Sequence, residues 1–234
     1  MIADSARALL DLQQFADSAL PIGGAAHSFG LESLVEMGLL RIENLEVFFG
    51  DYLEEAGALE ASFCVASCEL AHSPWNGAKI DRWISWNTEL AARRVARESR
   101  EGSAAMGRRF LSLAARASDI PELTVLAELA SEREIELHLA TCFGLSAGFM
   151  RIDPHISAGA YLQQNVTTLL SCCQRLIALG QTRAQQILWR LRPAILTAAQ
   201  RGASTAPGRV DSFTALPDLA SARHPRLHTR LFIS

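Results

Sequence analysis

The sequence has no hydrophobic run long enough to cross a membrane. Its longest candidate, residues 61–68, is bounded by Glu60 and Glu69, whereas a membrane-spanning helix needs roughly 18–20 apolar residues. The N-terminus has no signal-peptide pattern either, because Asp4 and Arg7 interrupt any apolar stretch there. We therefore expect neither a membrane anchor nor secretion, and we predict a cytoplasmic protein.

Cysteine and basic charge are also limited. The five cysteines are an odd number and form no CxxC pair, which favours reduced thiols over disulfides or a zinc site. The formal net charge is −3, so the overall charge gives no reason to expect nucleic acid, whose phosphates are bound by clustered Lys and Arg. We predict no nucleic-acid partner.

The motifs of several enzyme classes are missing. Gly23-Gly24 is the only adjacent glycine pair, and it lacks the Lys-Ser or Lys-Thr that would complete a phosphate-binding loop. The metalloprotease pattern HExxH does not occur. We therefore predict that the chain is not an enzyme and has no cofactor.

One constellation has the composition of a metal site. Cys64, Cys68 and His72 are spaced four residues apart and would share one helical face, and thiolates with imidazole suit nickel or zinc. The competing interpretation is a packed core face, because Cys is among the most buried residue types. We favour the core and assign no metal site. The alternative is an all-helical metal-dependent enzyme that uses His27, Glu32 or this face.

Helical periodicity dominates the rest of the chain. Hydrophobic residues recur every three or four positions, which predicts helices over residues 7–20, 29–37 and 44–72, among others. No alternating run flanked by turns occurs, so no strand is predicted. We predict an all-α, single-domain bundle of roughly eight to ten helices over residues 1–222, followed by a mobile tail over residues 223–234.

Small residues and proline predict how some helices meet. Gly144 and Gly148 belong to a row of small residues that repeats every four positions, which indicates close helix packing. Gly180 is expected to end a helix in a left-handed conformation, and Thr182 to cap the next helix. Pro193 is expected to kink the helix that follows.

Acidic residues accumulate between residues 32 and 60. One interpretation is a solvated face of the predicted helices, and the other is an acidic docking surface for a basic partner. We favour the solvated face. The acidic residues are Glu32, Glu36, Glu43, Glu46, Asp51, Glu54, Glu55 and Glu60.

The stretch Phe15–Glu32 predicts a sharply turned junction between two helices. Pro21 lacks a backbone donor and disfavours a helical residue before it, so the preceding helix should stop there. Gly23 allows a tight turn, and Ser28 is suited to capping the next helix. Asp17 and His27 add polar groups that a bare turn does not need.

This stretch closely resembles the N-terminal signature of the UreF family of urease accessory proteins, D-S-x-x-P-I-G-x-x-x-H-S-x-G-L-E. The matching residues are Asp17, Ser18, Pro21, Ile22, Gly23, His27, Ser28, Gly30, Leu31 and Glu32.

Two further stretches resemble the same family, in the family's order. Residues 175–188 are similar to its R-L-x-x-L-G-Q-T-x-x-Q segment, with matches at Arg175, Leu176, Leu179, Gly180, Gln181, Thr182 and Gln185. The tail is similar to its R-H-x-x-x-x-R-L-F-x-S signature, with matches at Arg223, His224, Arg230, Leu231, Phe232 and Ser234.

The resemblance implies an all-α, non-enzymatic chaperone of urease maturation that acts as a homodimer. Members of this family bridge the accessory protein UreD, also called UreH, and the GTPase UreG on apo-urease, where nickel is inserted. A helical adaptor unrelated to urease is a further alternative. We expect partner binding by the tail residues Arg223, His224, Arg230, Leu231 and Phe232.

We also expect the junction to shape the surface that the partners contact. The residues that would hold the junction in shape are Asp17, Ser18, His27 and Glu32.

Overall fold

The computed structural model describes residues 2–234, with the side chains of residues 6–234. Over this range the chain forms twelve α-helices and no β-strand, which confirms the all-α prediction. The helices are α1 (Ile2–Phe15), α2 (Leu31–Glu36), α3 (Leu45–Tyr52), α4 (Ala58–Ala71), α5 (Gly77–Arg93), α6 (Arg97–Ala117), α7 (Pro121–Glu132), α8 (Leu139–Phe149), α9 (Pro154–Leu176), α10 (Gln181–Arg190), α11 (Arg192–Ala203) and α12 (Ala215–Arg223).

The core is organised around α4, which packs against α8, α9 and α11. Most residues of α4 are buried, and so are all residues of α8 from Leu139 to Gly148. Two such helices have no polar face to turn toward water, so they occupy the centre of the bundle. The described part of the chain contains no helix that is both long and apolar enough to span a bilayer.

The small-residue row of α8 lies against the backbone of α4. A Cβ atom added at Gly144 would meet the Cys64 carbonyl group, and one added at Gly148 would meet that of Cys68. The two backbones therefore approach closely only because these positions lack side chains. The prediction of close helix packing is confirmed.

The predicted helix over residues 44–72 is interrupted by a π-helical turn. The turn, Leu53–Gly57, separates α3 from α4. It lies where Gly57 lowers the helix propensity, and π-turns of this length occur mostly as insertions in α-helices.

Several local predictions about helix ends are wrong. The first helix ends at Phe15 rather than at Leu20, and Asp17 instead accepts a hydrogen bond from the Ala19 backbone N–H (2.8 Å), a local bond that competes with helix. Gly180 has φ −68° and ψ 153°, so it is not left-handed, and Thr182 caps nothing because α10 begins at Gln181.

Pro193 does not kink a helix but lies in the first turn of α11, after a break at Leu191. A proline is favoured there because its missing N–H would have no partner in the first turn. Breaks of this kind explain why the bundle has more helices than the eight to ten predicted.

The acidic stretch is only partly a solvated face. Glu32 and Glu60 are buried. Glu60 forms an ion pair with Arg94 and accepts hydrogen bonds from Tyr161 and from Asn165 (3.2 Å). A buried carboxylate is tolerated because these partners satisfy it.

Replacing Gly144 with Ala should destabilise the protein, because the added methyl group meets fixed backbone of α4. We expect a loss of about 1–3 kcal/mol in the free energy of unfolding. Gly159→Ala is the matched control, since it lies inside α9 with open space around its Cα, and we expect a gain of about 0.5–1 kcal/mol from helix propensity. Urea unfolding followed by circular dichroism measures both, and equal effects would contradict close packing as the reason for Gly144.

Candidate functional site

Three stretches that are distant in sequence meet on one side of the bundle. They are the junction (residues 15–32), the C-terminal end of α9 with Arg175, and the tail (residues 223–234). These are the stretches that carry the family resemblance, except that Gly180 and Gln181 lie exposed at the start of α10.

Left-handed backbone shapes the junction. Gly23 has φ 88° and Gly30 has φ 92°, values that favour glycine. A Cβ atom at Gly30 would lie 2.8 Å from the Pro217 carbonyl oxygen and 2.8 Å from the Ser221 hydroxyl oxygen. Gly30 thus allows both the turn into α2 and the close approach of α12.

The end of the tail pairs with the junction through backbone hydrogen bonds. The Ile233 N–H donates to the Ala26 carbonyl oxygen (2.8 Å), and the Ser234 backbone oxygen accepts from Ser28 and from Phe29 (3.2 Å). His27 adds a side-chain bond, with Nδ1 2.7 Å from Ser234 Oγ. The junction therefore provides the surface on which residues 231–234 lie.

The buried carboxylate of Glu32 binds the tail from the side of the bundle core. Its Oε1 accepts from the Leu231 N–H (2.6 Å), and its Oε2 accepts from the Phe232 N–H (3.2 Å). The same Oε2 lies 2.8 Å from His224 Nε2. One side chain of α2 thus contacts both ends of the tail.

His224 is fully buried between two carboxylates. Its Nε2 faces Glu32, and its Nδ1 lies 2.7 Å from Glu98 Oε2. Each ring nitrogen therefore lies within hydrogen-bond distance of a carboxylate oxygen. Arg230 completes the cluster at 3.2 Å from Glu98 Oε1.

Arg175 joins the third stretch to the other two. Its Nη1 donates to the Ala25 carbonyl oxygen (2.6 Å), and its guanidinium carbon lies 4.4 Å from the centre of the Phe232 ring. Stacking on an aromatic ring while donating to a carbonyl uses the planar shape of arginine.

The predicted tail residues divide into two groups. His224 and Phe232 are buried anchors, whereas Arg223, Arg230 and Leu231 are exposed. In the junction, His27, Ser28 and Glu32 are buried, while Asp17 and Pro21 lie at the surface.

The sequence did not reveal Glu98 as a member of the site. It lies among the arginines of α6, where it reads as a compensating charge for neighbours on the same helix. Its contact with His224 joins positions 126 residues apart, and no local pattern encodes a contact of that range.

The cysteine face is packed core. Cys64 Sγ lies 3.7 Å from Ser157 Oγ, and Cys68 Sγ lies 3.9 Å from His72 Nε2 and 3.4 Å from the Ile152 carbonyl oxygen. Burial raises the pKa of both thiols, that of Cys68 to about 12. Thiols bind metal as thiolates, so this geometry favours the core interpretation.

Removing the Glu32 carboxylate should release the tail. In Glu32→Ala, the fully buried His224 and two backbone N–H groups of the tail lose their acceptor, and we expect a loss of about 3–5 kcal/mol in the free energy of unfolding. Glu36→Ala is the control, because Glu36 is an exposed residue of α2, and its effect should stay within about 0.5 kcal/mol. Urea unfolding and amide hydrogen exchange at residues 231 and 232 test this, and unchanged exchange in Glu32→Ala would refute it.

Burial and the nearby Arg109 lower the pKa of His27 below its usual 6.5. The unfolded chain therefore binds this proton more readily than the folded chain, and the protein should lose stability as the pH falls below about 6.5. We expect wild type to lose more stability than His27→Asn between about pH 7 and pH 5. Urea unfolding across this range tests the expectation, and parallel pH curves would contradict it.

Comparison with known proteins identifies the family. The UreF family profile matches residues 41–192. A urease accessory protein UreF of Arthrobacter sp. is 30% identical over 230 residues, covering 96% of each chain. That of Thermosynechococcus vestitus is 30% identical over 235 residues and all of both chains, and that of Actinobacillus pleuropneumoniae is 29% identical over 224 residues, 95% of this chain and 97% of its own. The chain therefore belongs to the UreF family of urease accessory proteins.

Proposed function

We propose that this protein is a chaperone of urease maturation that bridges UreD/UreH and the GTPase UreG on apo-urease, so that nickel can be inserted into the urease active site. The observation that supports the proposal is the packing of the tail on the junction, in which His224 and Phe232 are buried while a basic and apolar face stays exposed. A surface of this kind binds proteins by shape and charge complementarity.

The prediction that the chain is not an enzyme is confirmed by its family, because the matching relatives are accessory proteins. We retain a homodimer in the cytoplasm as part of the proposal. Direct contact with nickel is not part of it, because the proposed contacts use the surface of the tail.

The exposed tail residues supply the proposed contacts. Arg223, Arg230 and Leu231 face outward, and arginine is enriched among residues that dominate binding energy. His224 and Phe232 support them from inside, since both are buried against the junction and the Glu32–Glu98 cluster.

The junction acts in this proposal by holding the tail rather than by touching the partner. His27 and Glu32 bond to tail atoms directly. Asp17 and Ser18 precede the turn, and the Asp17 carbonyl oxygen accepts a hydrogen bond from Gln164 of α9 (3.0 Å). That bond fastens the start of the junction to the bundle.

The proposal is tested by removing the exposed contacts while keeping the anchors. Arg223→Ala/Arg230→Ala/Leu231→Ala should weaken binding to purified UreD/UreH or to UreG at least about 10-fold, because the charge and apolar contacts are lost. Calorimetry of each pair, with and without guanine nucleotide, measures this.

The matched control is Arg116→Ala/Arg183→Ala/Leu196→Ala, whose three residues are exposed on α6, α10 and α11. It should bind as wild type does. Wild-type affinity of the tail variant for both partners would refute the proposed role of the tail.

A further inference from the structure

Helix α12 leads into the tail and carries an outward stripe of its own. Leu216, Leu219 and Arg223 follow each other at i, i+3 and i+7, so they lie on one helical face, and all three are exposed. The opposite face is packed against the bundle, because Ser221 is buried and contacts Gly30. This stripe changes from apolar to basic along the helix.

Two more large apolar side chains stand beside this stripe. Phe213 is 81% exposed and Val95 is 75% exposed, and together with Leu219, which is 70% exposed, they border a cavity of about 600 Å³. The Phe213 backbone is held in place, since its N–H donates to Glu55 Oε2 at 2.7 Å. Folded monomers rarely keep large apolar side chains this exposed around one opening unless a partner covers them.

The leucine part of the cavity wall suits an uncharged apolar group, while polar side chains such as Gln164 and Asn165 line another part. Leu59, Leu90 and Leu169 contribute to its wall. Its two arginines are already paired, Arg94 with Glu60 and Arg93 with Glu89. The volume falls in the roughly 300–1,000 Å³ range of ligand-sized cavities, so a large side chain can enter without displacing the core.

The surface on the tail side of the opening is basic. Arg226 has no ion pair among the described side chains, while Arg223 has only a distant one, 4.0 Å from Glu36. Arg230 shares Glu98 with the buried His224. Carboxylates of a partner would complement this side.

We propose that one partner-binding surface has two parts. The apolar part consists of α12 and the cavity mouth, and the basic part is the tail. The partner is a protein that inserts a large apolar side chain between Phe213, Val95 and Leu219 and places carboxylates opposite Arg223 and Arg226. This inference rests on the proposed function, because its partner is the one that the tail binds. It extends the binding surface about ten residues upstream of the predicted boundary at residue 222.

The test compares two apolar substitutions with a matched one elsewhere. Phe213→Ala and Leu219→Ala remove exposed side chains, so both variants should fold, and each should weaken binding to purified UreD/UreH or UreG at least about 10-fold. Leu196→Ala on α11 is the control, since Leu196 is 66% exposed, and it should change the affinity less than about 2-fold.

The basic part is tested through kinetics. Arg226→Glu should lower the association rate and flatten its dependence on ionic strength, because charge at the edge of an interface acts mainly on encounter. An unchanged rate and salt dependence would contradict the placement of carboxylates opposite this residue.

The outcomes separate this inference from the proposed function. If the tail variant loses binding while Phe213→Ala and Leu219→Ala bind normally, the apolar part is wrong and the proposed function stands. If all three bind normally, the proposed function fails as well. If the two apolar variants instead dissociate a dimer of this chain in light scattering and leave partner affinity unchanged, the surface is a self-interface and the inference is overturned.

Discussion

The candidate site depends on the hydrogen bonds between the buried Glu32 carboxylate and the tail. This carboxylate accepts two backbone N–H groups of the tail and faces the ring of His224. Bonds to a charged acceptor are stronger than neutral ones, and a buried carboxylate without partners would be costly. Glu32 therefore needs the donors of the tail in order to be buried, and it binds the tail in return. The position of the last residues thus depends on a side chain of α2.

The site is a composite of elements that lie far apart in the chain. The junction supplies carbonyl and N–H groups, α6 supplies Glu98, and α9 supplies Arg175. None of these elements has a free-standing motif for binding a partner. In the proposed function, their common effect is to hold arginines and apolar side chains in place before a partner binds, which reduces the entropy lost on binding.

The bundle behind the site provides the rigid support. The close approach of α4 and α8 and the Glu60–Arg94 ion pair tie the centre of the bundle together, and the junction packs against α9. The cavity lies between this frame and α12. The frame is therefore densely packed at its centre and open where α12 meets it, and the large exposed apolar side chains of this region border that opening.

The sequence by itself determined the helical class, the close packing at Gly144 and Gly148, and the family, because periodicity, small-residue spacing and motif order are local properties of the chain. It misjudged Gly180, Thr182 and Pro193, because a periodic pattern specifies the type of an element more firmly than its ends. Only the tertiary structure decided which charges are buried: Glu32 and Glu60 look like surface acids in a linear reading. Their partners lie up to about 200 residues away, and burial depends on such long-range contacts rather than on neighbouring residues.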